Sequence, residues 1–317
     1  MLNASGVLRQ GLLQLAKSGR VRDLVERAPM SREVVRRFVA GDSTAEAVLA
    51  AGALDLTGRR STIDHLGEDT LDLGQAQDTR DAYLSLLSAL GEAGLTQGGR
   101  AEVSLKLSAL GQALPNDGAK IALEHAREIC QAARNAGTTV TLDMEDHTTT
   151  DATLEALREL RKDFPSVGAV VQAYLLRTEA DCRDLAHEGS RVRLCKGAYE
   201  EPGSVAFQDK VEVDRSFVRC LKVLMAGQGY PMIASHDPRL VEIAGALAHK
   251  QDRGADTFEY QMLYGIRPEE QKRIADRGDQ MRVYVPYGHE WYGYLIRRMA
   301  ERPANTMFFL RSLATKG

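Results

Sequence analysis

Over residues 7 to 53 the apolar positions recur at helical spacing, and the polar residues fall where helices begin. Ser31 is placed to cap a helix carrying Val34, Val35 and Phe38, and Ser43 with Glu46 forms a capping box for the next. Residues 1–60 therefore read as an N-terminal helical arm. From residue 61 the period changes, and short β-branched runs alternate with amphipathic stretches. The predicted strands are Ser61 to His65, Ala101 to Leu107, Thr138 to Met144, Val167 to Ala173, Arg191 to Cys195, Pro231 to Ser235, Ala255 to Tyr260 and Arg282 to Pro286. Several are nearly apolar throughout, as buried parallel strands are. Helix ends are marked by Asp151 ahead of Leu154, Leu157 and Leu160, by Asp237 with Pro238 behind it, and by Gly137 and Gly189 at the stops. Eight strands, each followed by a helix, match an α/β protein of the (β/α)8 barrel type over residues 61–317, in number and in length. A doubly wound open sheet is the alternative. It wants a glycine-rich phosphate loop after its first strand, and Leu66-Gly67-Glu68-Asp69 is not G-x-G-x-x-G.

Composition narrows the function classes. The 317 residues are 44% hydrophobic and 27% charged, and 41 Lys and Arg stand against 44 Asp and Glu, so the net charge of −3 supplies no field for a nucleic-acid backbone. Cys130, Cys182, Cys195 and Cys220 show no C-x-x-C spacing and read as reduced thiols. No apolar run reaches the ~18 residues of a membrane span, and Arg9 and Lys17 interrupt the pattern a signal peptide needs. A cytoplasmic protein is expected, with at most peripheral contact at the inner face of the membrane. Leu12, Leu13, Leu15 and Val21 beside Arg9, Lys17, Arg20 and Arg22 suit either a helix packed on the barrel or one lying at an interface.

Barrel chemistry sits at the carboxyl ends of the strands. The polar residues there are Lys106, Asp143, Gln172, Arg193, Lys196, Ser235, His236, Glu259, Gln261, Tyr284 and Tyr287. Any one of these suits a solvated rim, but their recurrence on seven strands calls for a polar ligand, because such groups are costly there unless paired or ligand-bound. Lys196-Gly197-Ala198-Tyr199 places a cation and two small residues where a phosphate or a flavin ring can approach; an ordinary tight turn reads the same way. In the last helix Tyr294, Arg297, Arg298 and Glu301 recur at spacings of three and four and share a face, a placement from which arginines can fork onto a carboxylate. Asp143-Met144-Glu145-Asp146-His147 admits a metal reading if the strand continues far enough to put Asp143 and Glu145 on one face; the plainer reading is one functional carboxylate followed by a polar loop, and no metal is expected.

Taken in order, several segments resemble the proline dehydrogenase family, in its short monofunctional bacterial form. They are Leu66-Gly67-Glu68, Lys106 to Gly111, Leu142-Asp143-Met144-Glu145, Arg193 to Tyr199, Ser235-His236, Glu259 to Gly265, Tyr284 to Gly288, and Tyr294 to Glu301. The resemblance runs over nearly the whole chain. It implies a distorted (β/α)8 barrel holding FAD non-covalently, oxidising L-proline to Δ1-pyrroline-5-carboxylate and passing the electrons to a membrane quinone. By the same resemblance the flavin contacts are Asp143, Met144, Gln172, Arg193, Lys196, Gly197, Ala198, Tyr199, Ser235 and His236. The proline pocket is Lys106, Asp143, Leu263, Tyr284, Tyr294, Arg297, Arg298 and Glu301, with Asp143 and Arg193 catalytic and Glu68 pairing with Arg297 as a gate.

The physics of that assignment is coherent. Proline is a small zwitterion whose carboxylate needs cations, here Arg297, Arg298 and Lys106, and whose amine favours an acid such as Glu301. Tyr284 and Leu263 wall the ring, and Arg193 favours the reduced, anionic flavin. The chain departs from the family pattern at Ser235 and Asp237, where many members have Thr and Asn, and at Glu200, where Trp is common. The DNA-binding and aldehyde dehydrogenase regions of the large bifunctional relatives are not in this sequence, which leaves the second oxidation to a separate aldehyde dehydrogenase. Two other classes stay open on the residues alone. A Schiff-base lyase of the aldolase type would use Lys106 or Lys196 as a desolvated nucleophile, and a non-catalytic binding barrel would use the same rim without turnover.

Overall fold

The computed structural model describes residues 31–301. Two helices, α1 (Ser31–Phe38) and α2 (Thr44–Asp55), precede the first strand. The capping box expected at α2 is present, with the Ser43 hydroxyl accepting from the Glu46 N–H and the Glu46 side chain accepting from the Ser43 N–H. Residues 7–30, including the amphipathic pattern around Leu12 and Leu13, lie outside the described residues.

Eight parallel strands follow: β1 (Arg60–His65), β2 (Ala101–Leu105), β3 (Val140–Leu142), β4 (Ala169–Gln172), β5 (Arg191–Cys195), β6 (Tyr230–Ala234), β7 (Glu259–Leu263) and β8 (Met281–Tyr287). Their order is β3-β2-β1-β8-β7-β6-β5-β4, and a parallel bridge between Thr141 and Gly168 brings the two ends of the sheet together. Gly168 stands at that seam because a Cβ there would lie 2.7 Å from the Thr141 hydroxyl. The connections are α3 (Leu73–Glu92), α4 (Gly118–Asn135), α5 (Thr150–Asp163), α6 (Thr178–Leu185), α7 (Lys210–Ala226), α8 (Pro238–Lys250) and α9 (Pro268–Asp276), and α10 (Trp291–Glu301) follows β8. This is a nearly closed (β/α)8 barrel. No helix of the described residues is long and apolar enough to cross a membrane.

The strands sort their side chains by alternation. Ile63, Val103, Leu105, Val140, Leu142, Val192, Leu194, Tyr260, Met262, Val283 and Val285 belong to the main apolar cluster with the helices, whereas Thr62, Asp64, Glu102, Ser104, Arg193, Glu259, Gln261 and Arg282 are buried polar residues. The registers carry the polar set from strand to strand: Thr62 pairs with Glu102 on one side and Tyr284 on the other, and Gln261 pairs with Arg282. Around the barrel, α3 contributes Tyr83, Leu86, Leu87 and Leu90 to the core, each buried side chain stabilising the fold by about 1.5–3 kcal/mol. A smaller cluster joins α1 to α10 through Val35, Phe38, Val39, Tyr292, Tyr294, Leu295 and Ile296, with Leu66 from the β1–α3 loop. It seats α10 beside that loop.

Two sequence expectations shift. The seventh strand begins at Glu259 rather than Ala255, because Gly254 to Thr257 close a turn in which the Thr257 N–H donates to the Gly254 carbonyl at 3.0 Å. Arg253 anchors that turn by donating to the carbonyls of Thr257, Gly229 and Met225. Glu259 consequently stands at the amino end of its strand, on the barrel floor, and Leu263 closes it. At α5 the N-cap is Thr149 and Asp151 lies inside the first turn, where a carboxylate also suits the helix dipole. At α8 the cap is Asp237, whose carboxylate accepts from the Arg239 N–H.

Candidate active site

The polar interior rises from the barrel floor to its carboxyl-terminal mouth. On the floor Arg282 is enclosed: its Nε donates to Glu259 at 2.8 Å, and a terminal nitrogen reaches the Ser61 carbonyl at 2.8 Å. Arg191 donates to Glu102 at 2.6 Å. Burial pushes the Glu259 carboxyl up, but Arg282 outweighs it and holds the group at about 2.

Above the floor, Arg193 is fixed by acceptors from three strands and from Asp143, just past the end of β3. It donates to Gln261 Oε1 at 2.6 Å, Asp143 Oδ1 at 2.6 Å and the Ser104 hydroxyl at 3.0 Å, and more distantly to the Thr62 hydroxyl at 3.5 Å. Asp143 accepts in addition from the Ser104 hydroxyl at 2.7 Å and the Tyr284 hydroxyl at 2.6 Å. The Arg193 guanidinium lies 5.4 Å from the centre of the Tyr284 ring. Lys106 donates to Asp64 at 2.8 Å and lies 3.8 Å from Asp143. Burial draws the Lys106 ammonium down, but the carboxylates of Asp64 and Asp143 prevail and hold it well above its ordinary value. Burial, with Asp143 alongside, likewise raises the Tyr284 phenol, so the hydroxyl stays a donor.

The β5–α7 loop forms one wall of the mouth. Lys196 pairs with Asp214 at 2.5 Å and Asp237 at 3.4 Å. Gly197 adopts φ +110, and a Cβ there would overlap the Tyr174 ring. Gly197→Ala is therefore expected to cost about 1–3 kcal/mol, read as a lower melting temperature; unchanged melting would contradict the strain. Ala198 and Tyr199 follow half-buried, and Met144, by contrast, packs into the main core. The loop is pinned by Glu201, which accepts from the His147 N–H at 2.9 Å and the Tyr174 hydroxyl at 3.2 Å and pairs with the His147 ring. Gln172 donates to the Glu145 carbonyl at 2.7 Å, while the Glu145 carboxylate turns to the N–H and hydroxyl of Ser108. Ser235 accepts from the Asp237 N–H at 3.1 Å. His236 Nε2 accepts from the Leu263 N–H at 2.9 Å, which puts the ring proton of the neutral form on Nδ1.

Opposite this wall α10 leans over the mouth. Arg297 forms a two-armed pair with Glu68, at 2.9 Å and 2.5 Å, and lies 5.8 Å from the centre of the Tyr199 ring. Arg298 lies 5.3 Å from the centre of the buried Tyr294 ring. Glu301 ends α10, and its side chain lies outside the described residues.

The structure therefore brings Asp143, Arg193, Lys106 and Tyr284 into one contact network and sets Glu68 against Arg297. β3 ends at Leu142, so no strand continues through Asp143 and Glu145, and the two carboxylates take different partners, Arg193 and Tyr284 for Asp143 and Ser108 for Glu145. Among the described residues no group of three or more His, Cys, Asp or Glu is arranged to hold a metal ion. Both lysines that a Schiff-base lyase would use are ion-paired, and Lys106 is held protonated, which opposes a nucleophilic amine. The residues the sequence reading passed over are Thr62, Asp64, Ser104 and Glu201, while His147, weighed there only as a possible metal ligand, is the partner of Glu201. For the first three the signal was present as polar residues at alternate positions of β1 and β2.

The sequence model described as proline dehydrogenase matches residues 50–311. The chain belongs to the proline dehydrogenase family. It is 39% identical over 281 residues to proline dehydrogenase 1 of Bacillus subtilis (strain 168), covering 89% of this chain and 91% of that one. It is 36% identical over 307 residues to a proline dehydrogenase of Deinococcus radiodurans, covering 96% and 97%. Its fold superposes with TM-score 0.79 on proline utilization A from Bdellovibrio bacteriovorus inactivated by N-propargylglycine, at 25% identity, covering 94% of this chain and 37% of that one. The family match takes in every strand and helix from β1 to α10, so the buried network just described lies wholly within the proline dehydrogenase region.

Proposed function

We propose that this protein is a proline dehydrogenase that oxidises L-proline to Δ1-pyrroline-5-carboxylate with FAD and passes the electrons to a membrane quinone. The observation that carries the reading is the buried cluster of Asp143, Arg193, Lys106 and Tyr284 at the barrel mouth, faced by Arg297 and Glu68. Membership of the proline dehydrogenase family supplies the substrate class.

The residues present suit FAD. Arg193 and Lys196, paired here with Asp143 and with Asp214 and Asp237, are the cations for an anionic cofactor, and His236 Nε2 is held by the Leu263 N–H. FAD supplies the two-electron acceptor when bound. The chain's part is placement and field. Arg297 and Arg298 bind the proline carboxylate, with Lys106 as the third cation. By the family resemblance Glu301 is the acid assigned to the amine, and Tyr284 and Leu263 wall the ring. Proline loses a hydride from the ring carbon next to nitrogen that does not bear the carboxylate, and a proton from nitrogen passes to solvent, so that this C–N single bond becomes the C=N bond of the product. Fixing both charged ends holds that carbon in line for transfer. Asp143 keeps Arg193 and Tyr284 in position while the transfer occurs, and Arg193 sets a positive field at the cofactor. The product then passes to a separate aldehyde dehydrogenase.

Because Glu68 holds Arg297 across the mouth, the pair acts as a gate that closes over bound proline. Glu68→Ala is expected to lower kcat/KM for L-proline about tenfold, or about 1.4 kcal/mol, chiefly through KM; unchanged proline kinetics would remove the gate. The function as a whole is tested by turnover of the FAD-loaded protein with a soluble quinone analogue. L-proline should be consumed and D-proline left untouched, and a cyclic imine should accumulate. No turnover, or borohydride trapping of a carbonyl substrate on Lys106 or Lys196, would return the barrel to the lyase class.

A further inference from the structure

The floor of the barrel and its mouth are joined by one side chain that no role described so far uses. Gln261 Nε2 donates to Glu259 Oε1 at 2.5 Å, and Gln261 Oε1 accepts from Arg193 Nε at 2.6 Å. This orientation is compulsory. A carboxylate only accepts and a guanidinium only donates, so the amide between them must give its NH2 to Glu259 and its oxygen to Arg193. Glu259 is itself fixed by Arg282 at 2.8 Å and by the Tyr230 hydroxyl at 3.2 Å, and Glu259, Gln261 and Arg282 are buried to 0%, 2% and 1% exposure. A bonded chain thus runs Arg282, Glu259, Gln261, Arg193, Asp143 along the barrel axis.

Of the four acceptors around Arg193, three are neutral (Gln261, Ser104 and Thr62) and one, Asp143, is charged. The carboxylate of Glu259 stands one residue further off and is already matched by Arg282. An amide at 261 therefore holds Arg193 on its floor side without adding a second negative charge to it.

We propose that Gln261 and Glu259 are positioning residues for Arg193, the amide aiming the guanidinium at the mouth while leaving its positive charge uncompensated from below. The inference rests on the FAD reading above, since the charge is useful only if an anionic group forms over the mouth.

The test exchanges the two residues. Glu259→Gln with Gln261→Glu keeps one carboxylate and one amide in the pair, and the net charge is unaltered, but the carboxylate now lies directly on Arg193. The readout is titration of the FAD-loaded protein with sulfite, whose addition to a flavin gives an anionic adduct favoured by nearby positive charge. The exchange variant is expected to bind sulfite at least roughly tenfold more weakly, with FAD still bound. Melting temperature is measured alongside. A variant that melts earlier yet keeps the parent's sulfite affinity marks a purely structural pair and overturns the proposal. If the exchange does not fold, Gln261→Met removes the acceptor without adding charge; a severalfold weaker sulfite adduct is expected, and unaltered affinity again overturns it. Parent protein that takes up no FAD fails the functional reading first and this inference with it, whereas bound FAD with indifferent sulfite affinity defeats this inference alone.

Discussion

Replacing Asp143 by alanine is expected to lower kcat/KM for L-proline by roughly 10²–10³-fold. Asp143 is 8% exposed and accepts from Arg193, Ser104 and Tyr284, with Lys106 3.8 Å away. Removing it leaves the Arg193 cation without its charged partner in a buried site, where breaking such a pair costs about 3–5 kcal/mol. The guanidinium and the phenol are then free to leave the positions that face the mouth. Asp143→Asn separates charge from shape, because an amide oxygen in the Oδ1 place still accepts from Arg193 and Ser104 and its NH2 in the Oδ2 place can donate to the Tyr284 hydroxyl oxygen, while the charge on Arg193 goes unmatched. The asparagine variant should therefore keep its fold and substrate affinity better than the alanine variant and still lose most of kcat. Steady-state kinetics with circular dichroism as the folding control decide the matter. A folded alanine variant within threefold of the parent would contradict the placement of Asp143 at the centre of the site.

The second large effect lies at the opposite end of the barrel. Arg282 is 1% exposed and serves Glu259 at 2.8 Å and Glu102 at 3.8 Å. Arg282→Met leaves Glu259 buried with its cation gone, while Glu102 keeps Arg191 at 2.6 Å, at a cost of about 3–5 kcal/mol, which corresponds to a melting temperature lower by roughly 5–10 °C for a domain of this size. The effect carries a pH signature. In the parent, Glu259 is held at about 2, below its unfolded value, so its contribution is fully present above pH ~4.5 and is lost as pH falls toward 2. Without Arg282 burial dominates, the folded value moves above the unfolded one, and protonation relieves the penalty. The gap in melting temperature between parent and variant should accordingly narrow on going from pH 7 to pH 4.5. A gap that widens on acidification would show that Glu259 does not depend on Arg282.

How much of this was legible follows from what each signal depends on. The barrel was readable because strand and helix periods are local: Val103 to Leu105, Val192 to Leu194 and Val283 to Val285 carry their apolar outward faces in the sequence itself. The caps at Ser43 and Asp237 are equally local, three or fewer residues from their partners. The ionic interior was legible only as alternation, since Glu102 and Ser104 alternate with Val103 and Leu105, and an alternating polar face reads equally as one turned to solvent. Partnership was not legible from the periodicity. Asp64, Lys106, Asp143, Arg193 and Tyr284 come from five separate stretches of chain, and only closure of the sheet makes Lys106 the neighbour of Asp64. The start of the seventh strand was missed for a related reason, because the turn ahead of Glu259 is anchored by Arg253 to carbonyls at the end of α7 and near the start of β6. Resemblance to a family supplied the site residues that periodicity could not, among them Arg297 and Glu68, and the structure shows these two in contact from positions 229 residues apart.

We propose that the ionic mouth of this barrel holds FAD and orients L-proline against it. Anaerobic addition of L-proline to the FAD-loaded protein, followed by visible absorbance, tests that claim most directly. The flavin bands should bleach with L-proline and persist with D-proline. A protein that takes up no FAD, or whose bands are unmoved by L-proline, would contradict the account.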